Sequence, residues 1–203
     1  FALTNVRVQR NGVDVRASRV EGETPLRWLW QRRSGGEAPW SVSEWSVEAI
    51  PRPASMSTTK SLAISGWSSL RSRLDRIFAP LRTWLPPTTV GPGEVRWPGG
   101  RVQLAGASWE RDRLRSGEVI FKGLHAAAEV VWPAEGARTV TLRSMPTATT
   151  EAWSVVATSP EPSLVQAELA IRQQPARMSA RFGASGWLPA EAELKARDWT
   201  LPA

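Results

Sequence analysis

The sequence predicts a mainly β protein, built on an elongated antiparallel sheet with one short and one longer amphipathic helix. Three observations predict it. Most of the 203 residues alternate apolar and polar side chains with period two, the pattern of strands with one buried and one wet face. Two segments alone break that rhythm, and one hairpin design occurs twice, as if the sheet were extended by repetition.

In chain order, Val6 and Val8, the pair Asn11-Gly12, then Val13, Val15 and Ala17 form the strongest hairpin signal. Thr24-Pro25 supplies an N-cap and a first helical residue for a short helix through Leu26, Trp28, Leu29 and Trp30, before Arg32 and Arg33. The longer helix is predicted near residues 67 to 84. There Leu70, Leu74, Ile77, Phe78 and Leu81 fall at intervals of three and four, with Arg71, Arg73, Asp75, Arg76 and Arg82 placed opposite. A kink or end is expected near Pro80, and Pro86-Pro87 finishes the helix. Its apolar stripe is read as capping one end of a sheet, the alternative being a basic helix lying on anionic membrane.

The repeated hairpin runs from Val95-Arg96-Trp97-Pro98 through Gly99-Gly100 to Arg101-Val102-Gln103-Leu104, and again from Val130-Val131-Trp132-Pro133 through Gly136 to Thr139-Val140-Thr141-Leu142. A meander closes the chain. Its apolar positions are Val165, Ala167, Leu169 and Ile171, then Met178, Ala180, Phe182 and Ala184, then Ala190, Ala192, Leu194 and Ala196, with turns read at Gln174-Pro175 and Gly186 to Pro189. Residues 1–203 are therefore read as a single β-rich domain or a segment of a longer chain. They divide into N-terminal strands with a short helix (1–66), a helix (67–87) and an antiparallel meander (88–203).

Composition narrows the chemistry. Cysteine is absent, so disulfides, thiolate nucleophiles and cysteine metal sites are excluded. His125 is the single histidine, which leaves no ordinary zinc site, and no Gly-x-Ser-x-Gly elbow accompanies it. Catalytic and metal-ligating residues are expected to be none, and no cofactor is expected. The glycine pairs Gly35-Gly36 and Gly99-Gly100 lead into strand-like segments and not into helices, which disfavours phosphate cradles. Twenty-six basic residues against 19 acidic ones give a net charge of +7, almost all arginine, since Lys60, Lys122 and Lys195 are the lysines. That excess suggests affinity for an anionic surface, phosphate backbone or lipid head groups, the favoured alternative being an arginine-rich coding bias with ordinary solvated charges. Nucleic acid is the weaker choice, because the arginines read as spread along the chain among glutamates, with no basic arm or recognition helix. The longest uncharged stretch, residues 83 to 93, holds three prolines and falls short of the ~20 apolar residues that span a bilayer. Residue 1 is Phe with no apolar leader after it, which reads as a processed product or an excerpt.

Three stretches resemble the AsmA-like family of bacterial envelope proteins, which includes TamB-like and YdbH-like members. The order of hairpin, short helix and return strand appears in Val6 to Ala17, Pro25 to Trp30 and Trp45 to Pro51. Leu85-Pro86 introduces Val90-Gly91-Pro92-Gly93-Glu94-Val95-Arg96-Trp97, and Arg101 to Trp109 precedes Leu114-Arg115-Ser116-Gly117-Glu118-Val119. The likeness covers about half of the chain. It implies a strongly curved sheet, the β-taco, with an open apolar groove. It also implies a non-enzymatic role in the periplasm of a Gram-negative-type bacterium, anchored in the inner membrane by a segment not present here and joined to the rest of a longer chain or an envelope partner. There such a groove passes phospholipid between inner and outer membranes, in outer-membrane biogenesis.

The residues themselves leave two arrangements open. In one, the apolar faces line an open trough for acyl chains, which need no polar contacts along their length. In the other they are plugged, as in a structural or protein-binding β-sandwich without lipid. For the trough the bulky wall candidates are Trp97, Leu104, Val119, Phe121, Trp132, Leu142, Leu169 and Phe182.

Overall fold

A computed structural model describes residues 1–10, 12–33, 39–50, 66–145, 152–172, 174–183 and 186–196. Asn11, Gly35-Gly36, Pro51, Ala184 and the chain after Ala196 lie outside the described residues. The hairpin β1 (Ala2–Arg10) and β2 (Val13–Glu21) comes first, followed by α1 (Pro25–Arg33) and β3 (Trp40–Ala49). Helix α2 (Trp67–Trp84) leads into β4 (Thr88–Val90), β5 (Gly93–Trp97), β6 (Gly100–Glu110) and β7 (Arg113–Phe121). The remainder is β8 (Leu124–Val131), β9 (Arg138–Ser144), β10 (Trp153–Ser159), β11 (Leu164–Ile171), β12 (Gln174–Phe182) and β13 (Pro189–Ala196).

All thirteen strands belong to one sheet, with β1 and β13 at its edges. Neighbours are antiparallel except at one seam. There β3 runs parallel to both β4 and β5, which share the place between β3 and β6. Every hairpin turn from β6 to β13 alternates between two margins of the sheet, so the connections β6–β7, β8–β9, β10–β11 and β12–β13 share one margin. Helix α1 lies at that margin too, since it joins the end of β2 to the start of β3, and β3 begins level with the end of β6 through β4. Trp40 N–H donates to Pro87 O at 2.8 Å, tying the start of β3 to the exit of α2.

Helix α2 crosses this row of turns. The Trp67 ring meets Phe182 of β12, Arg71 reaches Ser159 of β10, Asp75 accepts from Trp132 beside β8, and Phe78 packs on both Trp132 and Trp109 of β6. The first three contacts are four residues apart, ~6 Å of helix. Each step crosses two strands, ~9.6 Å of sheet at the usual spacing. A straight helix advancing less than the sheet it touches requires the margin to bend around it, with the helix side inward. That side is the apolar one.

A second bending device crosses the first seven strands. Along each of them the apolar alternation slips by one residue at the same level: Leu3 to Val6, Ala17 to Val20, Val42 to Trp45, Val90 to Gly93, Leu104 to Ala107, and Ser116 to Val119. Between β7 and β8 the slip ends, with Val119 opposite Ala126 and Ser116 opposite Ala128. An extra residue bends a strand and sharpens its twist, and here the extra residues are stacked into a crease. Asn5 and Glu44 on it adopt left-handed φ values of 53° and 45°. The Ser116 hydroxyl donates at the crease to Gly106 O at 2.6 Å, so a carbonyl freed from the ladder keeps a partner.

Three expectations need correction. The polar set assigned to the outside of α2 is divided: Arg71 is buried, and Arg71, Asp75 and Arg82 turn toward the hairpin ends, while Ile77 of the expected stripe is exposed. The reason is that α2 meets polar turn backbone as well as apolar side chains. Arg71 donates to the Ser159 carbonyl and hydroxyl, and Arg82 donates to Trp132 O at 2.7 Å. The expected bounds of α2 are met: of the two alternatives at Pro80 the helix does not take the end, and it continues to Trp84, before Pro86-Pro87. Pro80 and Arg76 are exposed, so the carbonyl that loses its helical donor faces water. Gln174 and Pro175 start β12; Arg172, at φ 50°, makes the turn instead. Finally, the two Trp-Pro hairpins are no repeat unit, because the β5–β6 turn and the β8–β9 connection sit at opposite margins.

Candidate functional site, an uncovered apolar face

Registering the strands places the apolar residues on one face across the whole sheet. Taking representatives in order, Val8 lies opposite Val15, Val15 opposite Val47, and Val47 opposite Val95. Val95 lies opposite Val102, Val102 opposite Phe121, and Phe121 opposite Leu124. Further along, Ala128 faces Leu142, Leu142 faces Val155, Val155 faces Leu169, Leu169 faces Ala176, and Ala176 faces Ala196. All eight predicted wall residues fall on this face.

No second sheet among the described residues covers it. Among the described residues the buried apolar side chains are five alanines, Ala17, Ala107, Ala126, Ala176 and Ala180, together with Trp109 and Trp132. Every valine, leucine, isoleucine, methionine and phenylalanine described keeps contact with solvent. A filled sandwich buries such residues first, so the described residues form the open arrangement.

The predicted residues divide by position. Leu104, Val119, Phe121, Leu142 and Leu169 are half-buried along the middle and the far part of the face. Trp97 stands at the margin opposite the helices, its ring stacked on Phe121 with centroids 6.2 Å apart. Trp132 is 3% exposed beneath α2, stacked on Phe78 at 5.3 Å, with its indole N–H donated to Asp75 at 2.8 Å. Phe182 meets the Trp67 ring. Trp132 and Phe182 thus anchor the helix, and the others form wall.

Two tryptophans that the sequence reading did not select shape the wall further. Trp45 lies across from Gly93, and a Cβ built on Gly93 would overlap the indole; Trp40 covers Gly22 in the same way. The Trp45 indole N–H donates to Gly91 O at 2.9 Å. Both rings are thereby laid flat against the sheet. A Trp-to-Gly pairing across neighbouring strands is the signal that finds them, but it requires the register.

The other face is ionic. Arg7 and Arg16 both bond Asp14, at 2.9 and 2.7 Å, and Arg115 bonds Glu129 at 2.8 Å. These guanidinium hydrogen bonds hold the Asp14 and Glu129 carboxyls below their ordinary range. His125 is on this side, its Nδ1 2.8 Å from Glu118 Oε1. Hollows of about 460 and 550 Å³ also open here, the first among Glu168, Arg177, Glu193 and Lys195, the second beside Glu44, Glu94, Arg96 and Arg101. No group of three or more His, Cys, Asp or Glu residues suited to a metal ion occurs among the described residues. Under α2, burial pushes the Arg71 guanidinium below its ordinary pKa, and the nearby charge of Arg138 acts in the same direction.

No helix among the described residues is long and apolar enough to cross a membrane. No protein-family model, curated protein or solved structure matches the chain.

Proposed function

We propose that the chain is a non-enzymatic lipid-handling segment of AsmA-like type, which holds phospholipid acyl chains along its apolar face. The observation that carries this reading is the continuity of that face over thirteen strands, with no covering layer among the described residues. Monomeric proteins rarely leave an apolar patch beyond a few hundred Å² uncovered unless something binds there. Acyl chains fit because the wall residues Leu104, Val119, Phe121, Leu142 and Leu169 carry no polar side-chain group and the neighbouring alanines leave room. The flattened Trp40 and Trp45 keep the floor low. In this reading the protein works in the periplasm between two membranes, as part of a longer chain or beside an envelope partner. The ionic face then meets the solvent.

Native mass spectrometry of the purified chain tests it. Copurified phospholipid is expected in the wild type. In Leu142→Asp and Leu169→Asp the lipid should be lost while circular dichroism still reports the β fold, because water reaches an open wall once the ligand has gone. A wild type that neither carries phospholipid nor takes it up from vesicles would falsify the proposal.

A further inference from the structure

The net charge of the chain is concentrated in its two helices. Helix α1 contains Arg27, Arg32 and Arg33 and no acid, and α2 contains Arg71, Arg73, Arg76 and Arg82 against Asp75, so 7 − 1 = +6 of the total +7 sits in these two elements. The strands and connections are close to neutral. The same margin carries the three most exposed large apolar side chains described. Leu188 in the β12–β13 turn is 85% exposed, Leu26 is 81% and Trp30 is 75%, and Leu29, Ile77, Trp84 and Trp187 are each at least half exposed.

These residues are ordered into stripes that face away from the sheet. On α1, Leu26, Leu29 and Trp30 have the spacing of one helical face, while Trp28 is turned inward; on α2, Ile77, Pro80 and Trp84 do the same. Trp187 and Leu188 follow Gly186, which bridges to Gly66 at the N-terminus of α2. The chain therefore places two exposed helix faces and an apolar turn at one margin, together with Arg27, Arg33, Arg73 and Arg76. Tryptophan prefers the boundary between head groups and acyl chains, and arginine beside it attracts anionic lipid.

We propose that this helix-bearing margin docks on an anionic lipid bilayer, with Leu26, Trp30, Trp84 and Leu188 inserted at head-group depth and the exposed Arg27, Arg33 and Arg76, with Arg73, on lipid phosphates, while Arg71 and Arg82 stay turned toward the hairpin ends. Insertion is shallow, because the stripes are single helix faces and no helix among the described residues is long and apolar enough to span. The inference stands apart from the acyl-chain reading: the margin docks whether or not the trough is loaded. When both hold, the uncovered face begins at the membrane surface.

The experiment is co-flotation of the 203-residue chain with vesicles of phosphatidylcholine alone, or of phosphatidylcholine with about one third phosphatidylglycerol. Wild type is expected to float with the anionic vesicles at least tenfold more than with the neutral ones, and to be released as salt shortens the screening length from ~10 Å at 0.1 M to ~3 Å at 1 M. Trp30→Ser with Trp84→Ser should lower binding about tenfold, and Arg73→Gln with Arg76→Gln should remove most of the salt dependence. The copurified lipid measured by mass spectrometry should stay unchanged in both pairs, which separates this test from that of the trough. Equal flotation with both vesicle types, or full binding by the Trp pair, overturns the proposal. Sedimentation that shows a concentration-dependent dimer lost in the Trp pair, or duplex DNA binding that outcompetes the vesicles, overturns it in favour of a second copy or nucleic acid.

Discussion

The two margins of the sheet come from the same tryptophan-bearing alternation and meet different fates. At the helical margin Trp109 and Trp132 are buried under Phe78, whereas at the opposite margin Trp97, Leu124 and Met145 stay exposed. What differs is the covering element and not the strand pattern. Period-two alternation states which residues share a face; it is silent on whether that face becomes core or wall.

Truncations sharpen this contrast most. Trp132→Ala should cost ~3–5 kcal/mol, the range for emptying a buried aromatic site, and Phe78→Ala, which removes the half-buried ring stacked on it, should cost less. Trp97→Ala, which loses one stacked pair near solvent, should cost ~0.5–1.5 kcal/mol. Urea denaturation of the three variants checks the ordering, and equal losses at both margins would mean that the far margin is covered as well.

Smaller effects probe the wall and the ionic face. Gly93→Ala sets a methyl group into the Trp45 indole, and ~1–3 kcal/mol is expected from such overpacking, with Trp45 forced off the sheet and its fluorescence shifted. Arg71→Ala should lower stability by ~1.5–3 kcal/mol, the usual worth of a hydrogen bond from a charged group, again read by urea titration. The least is expected from acid. The folded Asp14 and Glu129 carboxyls titrate below their unfolded values, so their contribution is present above the ordinary carboxylate range and fades as pH falls through the lowered folded values. Asp14→Asn should flatten the stability-against-pH curve there; an unchanged curve would assign the acid response to other groups.

Most of the strand order could be read from the sequence, since Asn11-Gly12, the Trp-Pro turns and the runs at 165 to 196 carry local signals. The inward turn of Arg71 could not. Its partner is the Ser159 carbonyl, a group that every residue owns and no pattern marks. The crease was visible only as a slip, for instance Val42 to Trp45, which looks like noise in one strand and becomes a feature when six neighbours share it. Of the wall candidates, Leu104, Phe121, Leu142 and Leu169 were legible from alternation, while the covering of Trp132 depended on how a distant helix lies.

The parallel seam bears on how the chain reaches this structure. From β6 to β13 each strand pairs with its successor, so ordering can spread by short closures between neighbours in sequence. Docking β3 onto β4 and β5 requires closing the whole stretch between Ala49 and Thr88, α2 included. Folding rates fall as contacting residues lie further apart along the chain. The meander should therefore form first, with α2 and the β1 to β3 unit joining later, which makes the seam a late step of folding and a line along which the native sheet can open.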